Sequence, residues 1–171
     1  KDAGLEYTGA LKVLQMIFSY EYLWIQIRVK GGAYGCMCSF SDQGDSMFVT
    51  YRDPNLSESY KVYDEAADYV VDFDADDRDM KKYIIGTIGS MDMPMEAVDM
   101  GARSFHAYFL GKTEADLQKV RDQVLSCTQE DIRALAPIVK AVVEAGNRCC
   151  IGNEEKIDQN KEYFDEVKHV L

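Results

Sequence analysis

Histidine is scarce in this chain: two residues in 171, His106 and His169. No His-Glu-x-x-His, His-x-x-Glu-His or Gly-x-Ser-x-Gly occurs, so neither a zinc-hydrolase helix nor a nucleophile elbow is encoded here. Three prolines and twelve glycines are too few for a fibrous or disordered chain. No apolar run approaches the roughly 18 residues of a membrane span. The richest stretch, Val13 to Ile27, is broken by Gln15, Ser19, Glu21 and Gln26. Basic residues are outnumbered, 19 Lys and Arg against 30 Asp and Glu, for a net charge of −11. Such a surface repels phosphate backbones and anionic lipid, which argues against nucleic-acid and membrane partners. Cys-x-x-Cys is absent, and the five cysteines are an odd number. They read as small apolar residues of a reducing compartment, with Cys36 and Cys38 on one strand face. A zinc site joining them to Cys149 and Cys150 would match no usual finger spacing.

What remains is ordinary globular composition, 47% hydrophobic and 29% charged, in a length that suits one core. Leu11, Leu14, Phe18, Tyr22 and Ile25 recur at helical spacing, predicting an amphipathic helix over 9–27 that Gly31-Gly32 stops. Tyr34–Phe40 and Met47–Arg52 flank the turn cluster Ser41-Asp42-Gln43-Gly44-Asp45 and predict a β-hairpin. From Ser57 to Gly146 the pattern is helical. One helix carries Tyr60, Tyr63, Ala67 and Val70, and a second carries Met80, Ile84 and Ile88. A third starts near Pro94 and carries Met95, Val98, Ala102, Phe105 and Phe109. Thr113-x-x-Asp116 and Thr128-x-x-Asp131 predict two capping boxes. The second of these opens a helix over Ile132, Leu135, Val139 and Val142 that Pro137 should kink. A short strand is expected at Arg148–Ile151 and a helix or extended piece over 157–171. The fold class is α+β: a small mixed or antiparallel sheet with a β-hairpin packed against several helices, in one domain over 1–171. Three strands are few for a stable sheet, which points to a first strand missing before Lys1.

Gly111-Lys112-Thr113 lacks the first glycine of a phosphate loop and reads as a helix stop plus N-cap. Asp72, Asp74 and Asp76 open like a calcium loop, but Asp77 and Tyr83 stand where Gly and Glu are needed. They read as a solvated link. Arg28 to Gly35, with Tyr51-Arg52-Asp53-Pro54-Asn55 downstream, carries more chemistry. A guanidinium (Arg28) and a phenol (Tyr34) on either side of Gly31-Gly32 are two donors suited to a carbonyl that gains negative charge. Spacing alone favours the blander arrangement, in which Arg28 pairs with a helix-end carboxylate and Tyr34 packs in the sheet.

Leu23-Trp24-x-x-Ile27-Arg28-Val29-Lys30-Gly31-Gly32-Ala33-Tyr34-Gly35 and Tyr51-Arg52-Asp53-Pro54-Asn55 resemble the C-terminal half of zinc metallopeptidases of the pitrilysin/insulinase clan, presequence-protease branch. Ile85-Gly86-x-x-Gly89, Gly101, Tyr108-x-x-Gly111-Lys112-Thr113 and Thr128-x-x-Asp131-Ile132 follow in familiar order. The resemblance implies a mitochondrial-processing-peptidase-like metallohydrolase domain, the last of four homologous domains, without its first strand. It implies a zinc site in the N-terminal half of the same polypeptide and no cofactor or metal bound here. Zinc polarising a scissile carbonyl, with a Glu as general base, is the implied chemistry of the whole enzyme. This domain would hold no catalytic residue of its own. Arg28, Tyr34, Gly31 and Gly32 would contact unfolded peptide substrates across a closed chamber. A bacterial cytoplasm is the expected compartment, with an organellar matrix as second choice. The alternatives are a degenerate, non-catalytic structural or peptide-binding subunit of the same clan, and a free-standing peptide-binding module.

Overall fold

The computed structural model describes residues 4–169. Its centre is the first helix. It begins as α1, Ala10–Ile17, and continues in wider π winding over Phe18–Tyr22 and Trp24–Lys30. The helix thus runs past Ile27 to Gly31. The wider winding changes which residues face inward. Leu11, Leu14, Phe18 and Tyr22 are buried as the α-helical spacing demands, but Ile25 is turned outward and Ile27 inward. Val13, Leu14, Ile17, Phe18 and Leu23 are fully buried.

The hairpin forms where expected, within one residue at each end: β1, Gly35–Phe40, pairs antiparallel with β2, Ser46–Tyr51, in the register Cys38↔Phe48. Alternation sends Cys38 and Phe40 into the core and leaves Met37, Met47 and Tyr51 exposed on the opposite face. Phe18, Phe40 and Phe48 meet at 5.8–6.3 Å between ring centroids and bind the hairpin to the helix.

Helices then follow: α2 (Leu56–Asp64), α3 (Ala66–Val71), α4 (Asp77–Met91), α5 (Ala97–Phe109), α6 (Glu114–Leu125), α7 (Gln129–Arg133), α8 (Ala136–Glu144) and α9 (Glu154–Asp158). α4, α6 and α7 pack around α1, and α8 packs on α3. Val70, Val124, Ile132 and Val139 complete the core from these helices. Both capping boxes are present, with the Asp116 and Asp131 carboxylates accepting from the Thr113 and Thr128 N–H groups at 2.8 Å. Asp76 caps α4 by accepting from the Asp79 N–H at 2.9 Å, which fits the acidic stretch as a solvated link.

Four expectations need correction. The helix drawn through Tyr60 and Val70 is two, α2 and α3, meeting at Glu65. Pro94 lies in the connection ahead of α5, which starts at Ala97. Pro137 does not kink a long helix; it sits in the first turn of α8, where its missing N–H costs nothing, and α7 has already ended. Arg148–Ile151 is not a strand: among the described residues the sheet has two strands, and no third offers these residues a ladder. The expected first strand, ahead of Lys1, and the last two residues of the 157–171 tail lie outside the described residues. The described part of that tail holds the end of α9 and a single 3₁₀ turn, Lys161–Tyr163.

Candidate functional site

The π winding ends at the Gly31-Gly32 break. Gly31 N–H donates to Gln26 O at 3.1 Å, and Gly32 N–H to Arg28 O at 3.0 Å. A Cβ on Gly31 would lie 2.5 Å from Ile27 O, and Gly32 has φ +77°, so both positions require glycine for separate reasons. The chain reverses into β1, and this brings Arg28 and Tyr34 together. Arg28 Nε donates to the Tyr34 carbonyl at 3.0 Å. Its guanidinium carbon lies 4.1 Å from the Trp24 ring centroid, one turn back along the helix.

The blander arrangement of these two side chains does not occur. Among the described residues Arg28 enters no ion pair with a carboxylate. Tyr34 is 65% exposed rather than packed in the sheet. Its ring meets Tyr51 edge-on at 5.9 Å, and the Arg52 guanidinium approaches both rings, at 5.8 and 5.3 Å. Two cations and three aromatic rings therefore line one end of the hairpin.

The downstream motif braces this end. Tyr34 N–H is shared between Tyr51 O at 3.2 Å and Arg52 O at 3.3 Å. Arg52 holds φ +49°, the one positive φ outside glycine among the described residues, and such backbone persists only where its surroundings fix it. Asn55 Nδ2 donates to Gly31 O at 2.6 Å and ties the second motif to the glycine turn. Asp53 accepts from the Asn55 N–H at 2.9 Å and from the Ser59 hydroxyl, which anchors the loop to α2.

Sequence reading singled out Arg28, Tyr34, Gly31 and Gly32, and all four meet at this corner. It missed Trp24 as the platform under Arg28 and Arg52 as the second cation. Trp24 could have been found from its i, i+4 spacing to Arg28. Cys36, expected buried with Cys38, is only half-buried. Burial pushes its thiol up, Arg28 partly offsets this and Asp53 adds to it, which leaves a weak nucleophile at neutral pH. Cys38 is buried, its thiol pushed up to about 12 by burial. Among the described residues no group of three or more His, Cys, Asp or Glu could hold a metal ion. His106 is exposed on α5 and His169 is exposed beside Glu154. What the corner can do is donate: a held guanidinium and an exposed phenol can hydrogen-bond carbonyl oxygen.

Residues 1–153 match the family described as the PreP C-terminal domain. The chain belongs to that family. A protein of Clostridium perfringens named Protein HypA is 41% identical over 171 residues, all of this chain but 18% of the relative. Presequence protease 1, chloroplastic/mitochondrial, of Arabidopsis thaliana is 33% identical over 99% of this chain and 16% of its own length. The mitochondrial presequence protease of Aspergillus fumigatus is 34% identical over 87% of the chain and 14% of its own length. The chain thus spans less than a fifth of these curated relatives. This bears out the presequence-protease resemblance and makes the chain a peptidase-family domain. Among the described residues no helix is long and apolar enough to cross a membrane.

Proposed function

We propose that this domain forms the non-catalytic C-terminal half-chamber wall of a zinc-dependent metalloendopeptidase that degrades unfolded peptides, with Arg28 and Tyr34 as its substrate contacts. The observation that carries the reading is the Arg28–Tyr34 corner: Arg28 is held by the Tyr34 carbonyl and the Trp24 ring, Tyr34 stands exposed against Tyr51 and Arg52, and neither is spent on a carboxylate or buried in the sheet. The reading assigns the metal to the N-terminal half of the longer polypeptide.

This chain's own part is donation. Arg28 already uses Nε on the Tyr34 carbonyl, which fixes its plane and turns the rest of the fork outward over Trp24. A peptide lying across the corner would offer backbone carbonyls to that fork and to the Tyr34 hydroxyl. If charge develops on such a carbonyl, both bonds strengthen, which is differential binding of the transition state. Gly31 and Gly32 let the peptide backbone approach. The expected setting is a bacterial cytoplasm or an organellar matrix, in keeping with relatives of both origins.

The test is kinetic and uses the full-length polypeptide with an unfolded peptide substrate. Arg28→Ala and Tyr34→Phe should each lower kcat/KM by roughly 10²–10³ while leaving the melting temperature nearly unchanged. A large drop in melting temperature, with activity per folded molecule intact, would refute the substrate-contact role. A full-length polypeptide without peptidase activity would favour the degenerate-subunit reading instead.

A further inference from the structure

The corner that holds Arg28 and Tyr34 is a basic island in an acidic chain. Its two segments, residues 22–41 and 46–52, contain Arg28, Lys30 and Arg52 and no Asp or Glu, whereas the whole chain carries 30 acids against 19 bases. Asn55 Nδ2, bonded to Gly31 O, ties the two segments together. Among the described residues none of the three cations meets a carboxylate. Lys30 donates instead to the Gln26 side-chain oxygen at 3.1 Å. The acid next in sequence, Asp53, has both oxygens engaged, one by the Asn55 N–H and the other by the Ser59 hydroxyl. It is committed to the loop and leaves the Arg52 charge without a direct partner.

Arg52 stands at φ +49°, where glycine is favoured and a long side chain is strained. It is exposed, so no core packing offsets that strain. Its guanidinium carbon lies 5.8 Å from the Tyr34 ring centroid and 5.3 Å from that of Tyr51. Aromatic faces support a guanidinium without consuming its N–H donors, which stay directed outward in a planar fork.

We infer that Arg52 is the centre of a carboxylate subsite, which takes a carboxylate of the peptide lying across the corner. The inference rests on the substrate-contact reading of Arg28 and Tyr34 and adds a substrate class to it: peptides with an acidic side chain or a free C-terminus close to the bond that is cut. A carboxylate fits because its two oxygens match the guanidinium fork. The chain as a whole, at a net charge of −11, repels the same group. A peptide carboxylate therefore gains at this corner and loses over most other surface, which sets the register of the peptide. The Arg52 guanidinium lies beside the Tyr34 ring, and an extended residue spans ~3.3–3.6 Å, so the carboxylate belongs within about three residues of the carbonyl that Tyr34 bonds. Lys30 adds charge to the island as a flexible point cation.

The test uses the full-length polypeptide and a peptide cut at one mapped bond. In one arm Glu replaces Gln at each of the three positions on either side of that bond. In the other the peptide ends three residues past the bond, with a free or an amidated C-terminus. In at least one pair the carboxylate member should have a kcat/KM about fivefold or more above its neutral partner at low salt, and the gap should narrow as salt is added. Arg52→Gln should abolish that preference and Arg52→Glu should reverse it, with melting temperatures close to the parent's. A preference confined to the Glu arm assigns the subsite to acidic side chains; one confined to the other arm assigns it to the peptide C-terminus. No preference in any pair overturns the proposal, and so does a preference that survives Arg52→Gln. Arg28→Ala keeps the two claims apart, because it should slow both members of every pair alike. If it slows neither while Arg52→Gln still removes the preference, the Arg28 contact fails and the subsite stands. If the polypeptide cuts no peptide, the dissociation constants of the same pairs and variants decide in the same way.

Discussion

Two helices of this domain carry apolar residues at helical spacing and meet opposite fates. Around α1, Val13, Leu14 and Ile17 are 0% exposed, and hairpin, α4, α6 and α7 all close on them. Along α5, Val98 and Tyr108 are 80% exposed, Phe109 is 68% exposed, and no residue of the helix is buried. A stripe states that a face is apolar. It does not state that a partner is present. Polar ties reach this region from the rest: Lys112, just after α5, to Asp42 at the hairpin turn, and Arg121 to Asp92 between α6 and the end of α4, the latter beside the packing of Val124 in the core.

The comparison predicts an asymmetry of two phenylalanines. Phe18→Ala removes a fully buried ring that touches Tyr22, Phe40, Phe48 and Tyr69. It should cost about 3–5 kcal/mol. Phe105→Ala, at a 61% exposed ring, should stay within about 0.5 kcal/mol. Urea unfolding of both variants of the 171-residue chain, monitored by circular dichroism, measures the pair. Equal losses would mean that α5 is buried in solution and would erase the distinction between the two regions.

That asymmetry also marks how far the sequence could be read. Local signals spoke for local structure. The hairpin, both capping boxes and the glycine stops at Gly111 and Gly146 depend on residues a few positions apart, and all form as the sequence implies. The donor pair Arg28 and Tyr34 was legible because a two-glycine turn brings near neighbours together. Signals that depend on distant partners did not carry. Arg148–Ile151 has strand composition but no ladder, and α5 has a core-like stripe but no core. The π winding left no mark in the sequence, yet it turns Ile25 out and sets the register in which Arg28 reaches Trp24 and the Tyr34 carbonyl. Trp24 and Arg52 escaped notice because their role is to hold another side chain.

The two capping boxes sharpen the comparison at smaller amplitude. Their geometry is nearly the same, each Asp accepting from the Thr hydroxyl at 2.7 Å. Their surroundings differ, because α7 carries the fully buried Ile132, whereas the start of α6 is exposed. Thr128→Ala should therefore cost about 1 kcal/mol of global stability, visible as a lower denaturation midpoint. Thr113→Ala should act mainly by fraying α6 locally, visible as faster amide exchange over 114–117 with the midpoint little changed. Identical midpoint shifts in the two variants would show that α6 unfolds with the core.

The smallest expected effect is acid release of the polar tethers. Burial alone would raise the Asp42 carboxyl, but hydrogen bonds from Lys112 and Gln43 and the charges of Lys112 and Lys12 outweigh it and hold it below the ordinary carboxylate range. The hydrogen bond and charge of Arg121 do the same for Asp92. A depressed folded-state value means that the stabilisation is fully present above the unfolded value of about 3.9 and is lost as pH falls through the folded value. For the partly exposed Lys112–Asp42 pair this amounts to about 0.2–1 kcal/mol. Between pH 5 and pH 2.5, amide exchange over 97–125, corrected for intrinsic rates, should therefore accelerate by less than about tenfold while Val13–Phe18 stays protected. Asp42→Asn should remove part of that pH dependence, because an amide neither titrates nor pairs with the Lys112 charge. Exchange over 97–125 that rises only together with that of Val13–Phe18 would mean that the tethers are not what limits this region. The contrast with α1 would then have to rest on packing that its exposed face does not show.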